Sequence, residues 1–298
     1  MQSGLFRKKC VRERSPVPEV IAGIAELRAR LAHKRSIGGS IGLVPTMGAL
    51  HRGHAKLLEI ARQENDFVVA SIFVNPIQFD RKEDLENYPR TMEDDLRLCD
   101  SHGVDLVFAP SATDLYPHEQ LTFVESPALS THLCGAHRPG HFRGVATVVL
   151  KLFNIVQPHR AYFGEKDAQQ LAIIRRMVAD LNVPVTVVPV ATVREEDGLA
   201  LSSRNKHLTA EQRKIAPVLS CALRAAAELI EKGERSTATI RQEALAIFAR
   251  HPEARAEYFE ITDSDTLTPV ERIEGAVLIA GAIWLGSTRL IDNISCRV

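Results

Sequence analysis

Short apolar runs alternate with amphipathic segments through the first 190 residues, and this alternation limits the possible folds more than any other feature. The runs SIGLVPT, FVVASIFVN, VDLVFAP, AYFG and PVTVVPVA have the length and composition of buried strands. The segments between them, such as HAKLLEIARQEN and DAQQLAIIRRMVADL, carry apolar residues at helical spacing. Strands that alternate with helices predict an α/β fold with a parallel sheet, in which ligands bind at the carboxyl ends of the strands.

The chain begins with a basic stretch that does not fit this alternation. Residues 1–18 contain five Lys or Arg residues and end in a Pro-Val-Pro sequence, and we expect a flexible leader there. A phosphate-binding arm is the weaker alternative. The segment EVIAGIAELRARLAHKR follows, and its apolar residues at Val20, Ile24, Leu27 and Leu31 predict a helix.

The pattern changes near residue 190. Residues 209–233 predict one long helix and residues 238–251 a second one. Three strand-like runs, AEYFEITD, AVLIAGAIWLG and TRLIDNIS, then close the chain without helices between them, which predicts an antiparallel sheet. We therefore expect two domains after the leader: residues 19–190 form the parallel-sheet domain, and residues 191–298 form a smaller α+β domain.

Composition excludes several classes of protein. The 298 residues include 37 Lys or Arg and 37 Asp or Glu, so the net charge is zero and there is no overall basic field for nucleic acid. The longest apolar run, Val277–Leu285, is much shorter than the roughly 20 residues of a membrane span, and no signal peptide is visible. Five scattered cysteines form no C-x-x-C pair. We expect a reduced, cytoplasmic protein that binds neither membranes nor nucleic acids.

The sequence Pro45-Thr46-Met47-Gly48-Ala49-Leu50-His51-Arg52-Gly53-His54 is the strongest local signal. A strand ends there, a glycine-containing turn follows, and two histidines three residues apart lie at the start of a helix, where they share one face. The N-terminus of a helix binds anions, so the motif predicts a polyphosphate site. The alternatives are an ordinary cap contact, or a metal site, for which no third ligand lies nearby.

Two further segments carry cationic groups for a phosphate. Gly164-Glu165-Lys166-Asp167 follows a strand, and the lysine there can reach a phosphate as a point charge. Asp167 either accepts from a ribose hydroxyl or caps the next helix. Leu201-Ser202-Ser203-Arg204 lies at the proposed domain boundary, where two hydroxyls and a guanidinium suit a closing phosphate clamp. Taken alone, this last segment is weak.

Amide and carboxylate side chains offer candidate contacts for other ligand groups. Asn75 and Gln78 follow the strand FVVASIFV and can donate to a carboxylate or hydroxyl, and Gln169 or Gln170 can face the same ligand. One carboxylate of the run Glu93-Asp94-Asp95 can serve Mg²⁺, with a solvated helix start as the alternative. The histidines and Cys134 between residues 132 and 144 match no zinc spacing.

Six blocks together resemble the pantothenate synthetase (pantoate–β-alanine ligase) family. They are PTMGALHRGH, FVNPIQF, YPRTMEDD, RPGHFRGVATVV, YFGEKDAQQL and DGLALSSRN, in the order that the family has them. The resemblance runs from about Val20 to the C-terminus. It implies a Rossmann-like nucleotidyltransferase domain, a smaller C-terminal domain that covers the site, and a homodimer.

The resemblance also implies an activity, which is an AMP-forming ligation that makes an amide bond. Pantoate attacks the α-phosphate of ATP to give pantoyl adenylate and pyrophosphate, and β-alanine then attacks the acyl carbon to give pantothenate and AMP. Mg²⁺ accompanies ATP, and the protein serves the biosynthesis of coenzyme A. The main rival is a related nucleotidyltransferase that joins AMP to a phosphorylated cofactor precursor; a non-catalytic nucleotide-binding protein is a more distant one.

Residue roles carry over from the family motif by motif. His54, His51, Lys166 and Arg204 take the catalytic roles, and Arg52 is expected to point outward. Gln78, Gln170 and Asn75 contact pantoate, Gln78 also contacts β-alanine, and Asp94 lies near Mg²⁺. The implied ATP contacts are Pro45, Thr46, Met47, Gly48, Ala49, Leu50, His51, Arg52, Gly53, His54, Gly164, Glu165, Lys166, Asp167, Val193, Leu201, Ser202, Ser203 and Arg204.

Overall fold

The computed structural model describes residues 18–298, and its core is a six-stranded parallel sheet. The strands are β1 (Glu19–Ile21), β2 (Ile41–Thr46), β3 (Phe67–Ile72), β4 (Leu106–Phe108), β5 (Arg160–Gly164) and β6 (Thr186–Val190). Their order across the sheet is β1-β4-β3-β2-β5-β6, and all neighbours run parallel. The order reverses between β2 and β5, and in such sheets a crevice opens at this point beyond the carboxyl ends of the strands.

Nine helices belong to this part of the chain. They are α1 (Ile24–Ser36), α2 (Arg52–Glu64), α3 (Lys82–Glu86), α4 (Met92–Ser101), α5 (Ala112–Leu115), α6 (Pro127–Ser130), α7 (Leu133–His137), α8 (His141–Val156) and α9 (Ala168–Asp180). Alternate strand residues face opposite layers: Leu43 packs with the helices α1, α8 and α9, whereas Val44 packs with α2 and α4. Both faces of the sheet are therefore buried, which explains why its strands read as nearly continuous apolar runs.

The rest of the chain forms a smaller layer of helices on an antiparallel sheet. Its elements are α10 (Ala210–Ile215), α11 (Val218–Glu231), α12 (Thr237–Phe248), β7 (Ala254–Asp263), β8 (Ala276–Leu285) and β9 (Thr288–Arg297). The strand order is β7-β8-β9. The predicted fold class is confirmed, whereas the division at residue 191 stays a prediction.

Three predictions about elements need comment. The helix predicted from residue 19 begins only at Ile24, because residues 19–21 pair with β4 as an edge strand. The single helix predicted over residues 209–233 is interrupted at residues 216–217, where Pro217 has no N–H to donate. The predicted leader lies outside the described residues, apart from Pro18. Among residues 18–298, no helix combines the length and the apolar character needed to cross a membrane.

A glycine allows α8 to approach the segment that follows β3. That segment forms a single 3₁₀ turn, Pro76–Gln78, which carries one of the predicted amides. A Cβ atom on Gly144 would lie 2.4 Å from the Ile77 carbonyl oxygen and 2.6 Å from the Gln78 Cα. Both neighbours are backbone, which cannot rotate away as a side chain can, so only glycine fits there.

We predict that Gly144→Ala destabilises the protein by about 1–3 kcal/mol, because overpacking against backbone forces α8 away from the turn. Urea denaturation measures the change in the free energy of unfolding. Gly164→Ala is the matched control, since its φ is −74° and its Cβ would meet no described atom within 4 Å. Equal stability of the Gly144 variant and the parent chain would contradict the close packing.

Candidate active site

The loop after β2 turns sharply before α2 begins. Gly48 and Ala49 both have positive φ, at 81° and 50°. A Cβ on Gly48 would lie only 3.0 Å from the Asp95 Oδ2 atom. The Thr46 hydroxyl donates to the Ser71 carbonyl oxygen at 2.7 Å and accepts from the Gly48 N–H at 3.2 Å. The predicted nucleotide motif thus lies at the carboxyl end of β2, beside the point where the strand order reverses.

The Asp95 carboxylate fixes this turn from α4. It is 2% exposed and accepts from the Ala49 N–H at 3.0 Å and the Leu50 N–H at 2.7 Å. Asp94, the predicted magnesium neighbour, points the other way: its side chain is 71% exposed and pairs with Arg97. Sequence reasoning did not single out Asp95, because three adjacent acidic residues do not reveal which one faces inward.

The two histidines cap α2 reciprocally. His51 Nδ1 accepts from the Gly53 N–H at 3.1 Å, and His54 Nδ1 accepts from the His51 N–H at 3.2 Å. The ring centroids are 4.2 Å apart. A Cβ on Gly53 would lie 2.8 Å from the His51 Cε1 atom, so glycine is required between the rings. The cap contact, which the sequence left as an alternative, is therefore present, and it uses only one nitrogen of each ring.

Both imidazoles are neutral near pH 7. Burial, together with the charge of Lys166, lowers the pKa of His51 to about 4. Burial and the neighbouring His51 lower the pKa of His54 to about 3. A backbone N–H always donates, so each Nδ1 is an acceptor and each neutral ring carries its proton on Nε2. Within residues 18–298 no group accepts from either Nε2, and both N–H groups are available to a ligand.

The segment after β5 brings a lysine to the same crevice. Lys166 lies in the 3₁₀ turn Glu165–Asp167, and its charge lowers the pKa of both histidines. The Asn293 amide on β9 holds this turn by donating to the Glu165 and Lys166 carbonyl oxygens at 2.9 and 2.8 Å. Among the described residues, the Asp167 side chain makes no cap bond to α9, and its charge acts on the histidines instead.

The predicted phosphate clamp, Leu201–Arg204, lies beside this crevice. The Leu201 N–H donates to the Val193 carbonyl oxygen at 2.9 Å, and the Leu201 Cβ lies 4.0 Å from the position of a Cβ on Gly53. Burial and the charges of Arg138 and Arg289 lower the pKa of Arg204. Arg204 lines one cavity with Lys166, Ser202 and Arg289, and it forms no ion pair within residues 18–298.

Arg52 stands apart from this group. Its side chain is 74% exposed and lies 3.7 Å from the Glu195 carboxylate, so it points outward as expected.

The predicted amides divide into structural and available groups. Gln169 is buried and bound to backbone, since it donates to the Leu129 and His132 carbonyl oxygens at 2.8 and 2.7 Å. Gln170 is partly exposed and makes no side-chain hydrogen bond within the described chain. Gln78 is 7% exposed, and its Nε2 faces the Met47 sulfur at 3.1 Å, which places it beside the nucleotide motif.

Arg138 and His141, in the RPGHFRG block, support the Gln78 turn. His141 Nδ1 lies 2.8 Å from the Gln78 carbonyl oxygen, and its Nε2 lies 3.3 Å from the Arg138 guanidinium, which pairs with Asp80 at 2.8 Å. Burial lowers the pKa of His141 to about 4. Within residues 18–298, no group of three or more His, Cys, Asp or Glu residues is placed to hold a metal ion.

We predict that the free energy of unfolding falls as the pH drops from 6.5 to about 4.5. His51, His54 and His141 have folded pKa values of about 4, 3 and 4, below the unfolded value near 6.5. The unfolded chain therefore binds more protons in this range. Each histidine contributes a slope of at most about 1.4 kcal/mol per pH unit.

Urea denaturation at a series of pH values measures that slope. His54→Gln should lower this slope by at most about 1.4 kcal/mol per pH unit, which is the contribution of one proton. The same substitution at the exposed His118 controls for the loss of a histidine as such. A slope in His54→Gln as steep as that of the parent chain would contradict a buried neutral ring at this position.

Comparisons with known proteins agree with this geometry. The family model described as pantoate–β-alanine ligase matches residues 19–295. A pantothenate synthetase of Moorella thermoacetica is 54% identical over 280 residues, covering 94% of this chain and 99% of the relative. One of Acetivibrio thermocellus is 51% identical, with coverage of 94% and 99%.

Solved structures agree in the fold as well. Pantothenate synthetase from Thermus thermophilus superposes with a TM-score of 0.87 at 49% identity, covering 93% of this chain and 98% of that one. The pantoate–β-alanine ligase from Francisella tularensis, described as complexed with β-γ ATP and β-alanine, gives 0.74 at 33% identity, covering 93% and 97%. Sequence and fold thus match over nearly the whole chain, which belongs to the pantoate–β-alanine ligase family and is an ATP-using ligase of pantothenate biosynthesis.

Proposed function

We propose that this ligase works through a pantoyl adenylate formed in the crevice between β2 and β5. The observation that carries the proposal is the convergence of Lys166, Arg204 and two neutral histidine N–H donors beside the start of α2. A pantoate carboxylate oxygen attacks the α-phosphorus of ATP, a new O–P bond forms, and pyrophosphate leaves with the electrons of the broken bond. The nucleophile is already ionised at pH 7, so the main obstacle is repulsion between two anions.

Positive charges and N–H donors at the site would offset that repulsion. Lys166 and Arg204 supply cations, His51 and His54 donate through Nε2, and α2 directs free N–H groups towards the phosphates. The segments Pro45–His54, Gly164–Asp167 and Leu201–Arg204, with Val193, would surround ATP. The Francisella tularensis relative, described as complexed with β-γ ATP and β-alanine, supports ATP as the nucleotide.

Gln78 and Gln170 are the proposed pantoate contacts, and Asn75, predicted from the sequence as a third, supports Gln78 instead. Gln78 carries its amide next to Met47 of the nucleotide motif, so an acid bound there would lie beside the phosphates. Gln170 has a side chain without intramolecular partners in the described chain, as a ligand contact requires. Asn75 is 1% exposed and donates to the Gln78 Oε1 atom at 2.9 Å, so its contribution is to hold that amide.

We also propose that Mg²⁺ accompanies ATP. Magnesium takes oxygen ligands, mostly phosphates and waters with one or two carboxylates, so it needs no cage of protein ligands. The Asp167 carboxylate is exposed to solvent and its charge acts on the histidines, so it fits that role, whereas Asp94, the residue predicted from the sequence, points away from the turn and pairs with Arg97. When bound, the ion neutralises phosphate charge.

The second step needs a neutral amine. The nitrogen of β-alanine attacks the acyl carbon of the adenylate, a C–N bond forms, and AMP leaves as the C–O bond breaks. An alkylammonium has a pKa near 10. His51 and His54, with pKa values of about 4 and 3, are too weak as bases to deprotonate it. The amine therefore arrives deprotonated, or the departing AMP takes its proton.

The adenylate step is tested by pantoate-dependent exchange of pyrophosphate into ATP, with Mg²⁺ and without β-alanine. We predict exchange in the parent chain, and a loss of about 2.7–4 kcal/mol of transition-state stabilisation, roughly 10²–10³-fold, in Lys166→Ala and in His54→Ala. Arg176→Ala removes an exposed cation on α9, outside the proposed site, and serves as the matched control. Near-normal exchange in either site variant would contradict its assigned role.

We propose a cytoplasmic location. The four cysteines of the described chain, Cys99, Cys134, Cys221 and Cys296, are all free, as is usual in a reducing compartment.

We propose that the enzyme is a homodimer that uses the segment before α6. Leu121 and Phe123 are 83% and 38% exposed and lie two residues apart in this segment, which has no regular secondary structure. The segment is anchored at Val124, whose N–H donates to the Thr147 hydroxyl at 3.0 Å. Two neighbouring exposed apolar side chains on an anchored segment are suited to covering by a second copy.

We predict that Leu121→Glu shifts the enzyme from dimer to monomer, because burying a carboxylate in an apolar contact is costly. Light scattering coupled to size-exclusion chromatography measures the molar mass. Leu181→Glu is the control, since Leu181 is also exposed, at 51%, but lies after α9. An unchanged dimer in the Leu121 variant would place the contact elsewhere.

A further inference from the structure

A backbone carbonyl fixes how two buried amides are oriented beneath the crevice. The Asn75 side chain donates from Nδ2 to the Gly144 carbonyl oxygen at 3.1 Å. A carbonyl oxygen can only accept, so the atom that faces it must be the amide nitrogen. The Asn75 Oδ1 atom therefore points the other way, and this assignment does not depend on the usual ambiguity between amide oxygen and nitrogen.

The orientation of the Asn75 amide sets the hydrogen-bond direction of its two side-chain partners, Tyr116 and Gln78. The Asn75 Oδ1 atom lies 2.8 Å from the Tyr116 hydroxyl, which must donate. The remaining Nδ2 hydrogen of Asn75 is donated to the Gln78 Oε1 atom at 2.9 Å. The Gln78 Nε2 group is thereby directed away from Asn75, towards the Met47 sulfur at 3.1 Å. A thioether is a weak acceptor, so this N–H remains available to a stronger one.

We propose that Tyr116 is a positioning residue for the acid substrate. Through Asn75 it orients the Gln78 amide so that an N–H donor, rather than a carbonyl oxygen, faces the substrate. The inference rests on the proposed role of Gln78 in binding pantoate and extends it. The subsite then selects a substrate oxygen with a free lone pair, such as that of a carboxylate or hydroxyl.

The surroundings of Tyr116 keep its hydroxyl in place as a donor. Its ring packs on the core of the parallel-sheet layer, 6.2 Å from the Phe73 ring centroid, and the Lys151 ammonium lies over it at 4.7 Å. Burial raises the pKa of Tyr116, so the phenol stays protonated at any working pH. Without this hydroxyl, the Asn75 oxygen would lie buried with no partner in the described chain, and the orientation of the Asn75 amide would depend on the Gly144 carbonyl alone.

Tyr116→Phe removes only the hydroxyl and tests the proposal. We expect the KM for pantoate to rise about tenfold while the KM for ATP stays within about twofold, because a buried acceptor loses its partner next to Gln78. Tyr162→Phe is the matched control: its hydroxyl also donates to a neighbour, the Glu64 carboxylate at 2.9 Å, but it does so on the opposite layer of the sheet. It should change stability without changing either KM.

A double variant separates positioning from a general structural effect. In the Gln78→Ala background the amide is gone, so the Tyr116→Phe substitution should cause no further rise in the KM for pantoate. An equal rise in both backgrounds, or no rise in the single variant, would overturn the role of Tyr116 and leave the pantoate assignment of Gln78 intact. An unchanged KM for pantoate in Gln78→Ala itself would refute that assignment and, with it, the inference.

Discussion

The buried carboxylate of Asp95 is the interaction on which the geometry of the active site depends. The turn after β2 places Ala49 at a φ of 50°, a conformation that costs a non-glycine residue about 1–2 kcal/mol. Two charge-assisted bonds, from the Ala49 and Leu50 N–H groups to Asp95, offset that cost and satisfy donors that would otherwise be buried unpaired. The same turn sets where α2 begins, and therefore where His51 and His54 lie.

In the candidate active site, the histidine pair supplies hydrogen-bond donors, whereas other side chains carry the positive charge. Burial keeps both rings neutral. Two imidazolium rings with centroids 4.2 Å apart would also repel each other and the Lys166 ammonium, which favours the neutral forms further. The positive charges are placed on the Lys166 ammonium and the Arg204 guanidinium instead. Neutral Nε2–H groups then act as fixed dipoles, whose position is set by the reciprocal cap. In the proposed mechanism, such donors need no rearrangement as charge develops on a phosphate.

Sequence patterns predicted the parallel sheet, the second sheet and the strand–turn–helix order around Pro45–His54, because each depends on short-range periodicity or on a contiguous turn. They failed where the outcome depends on tertiary contacts. The edge strand β1 exists only through pairing with β4. The carboxylate of Asp95 faces inward and that of Asp94 does not, because of where α4 packs against the loop after β2.

The amides show the same limit of sequence reasoning. Gln169 and Gln170 are adjacent and chemically identical, and only the packing of α9 against α6 and α7 decides which one is bound to backbone. Tyr116 is separated from Asn75 by 41 residues and belongs to no motif. Its contact with Asn75 is a tertiary contact between distant segments, which periodicity does not encode.

The second sheet belongs to the site as much as the first does. Asn293 on β9 holds the Lys166 turn, and its neighbour Asp292 forms a two-bond ion pair with Arg194, at 2.5 and 2.9 Å. Arg194 also donates to the Gly198 carbonyl oxygen at 3.1 Å, just before the Leu201–Arg204 clamp. A movement of β9 away from the first sheet would break the bonds to the Lys166 turn. Through Asn293, the second sheet therefore fixes the position of a turn that follows β5 of the first sheet.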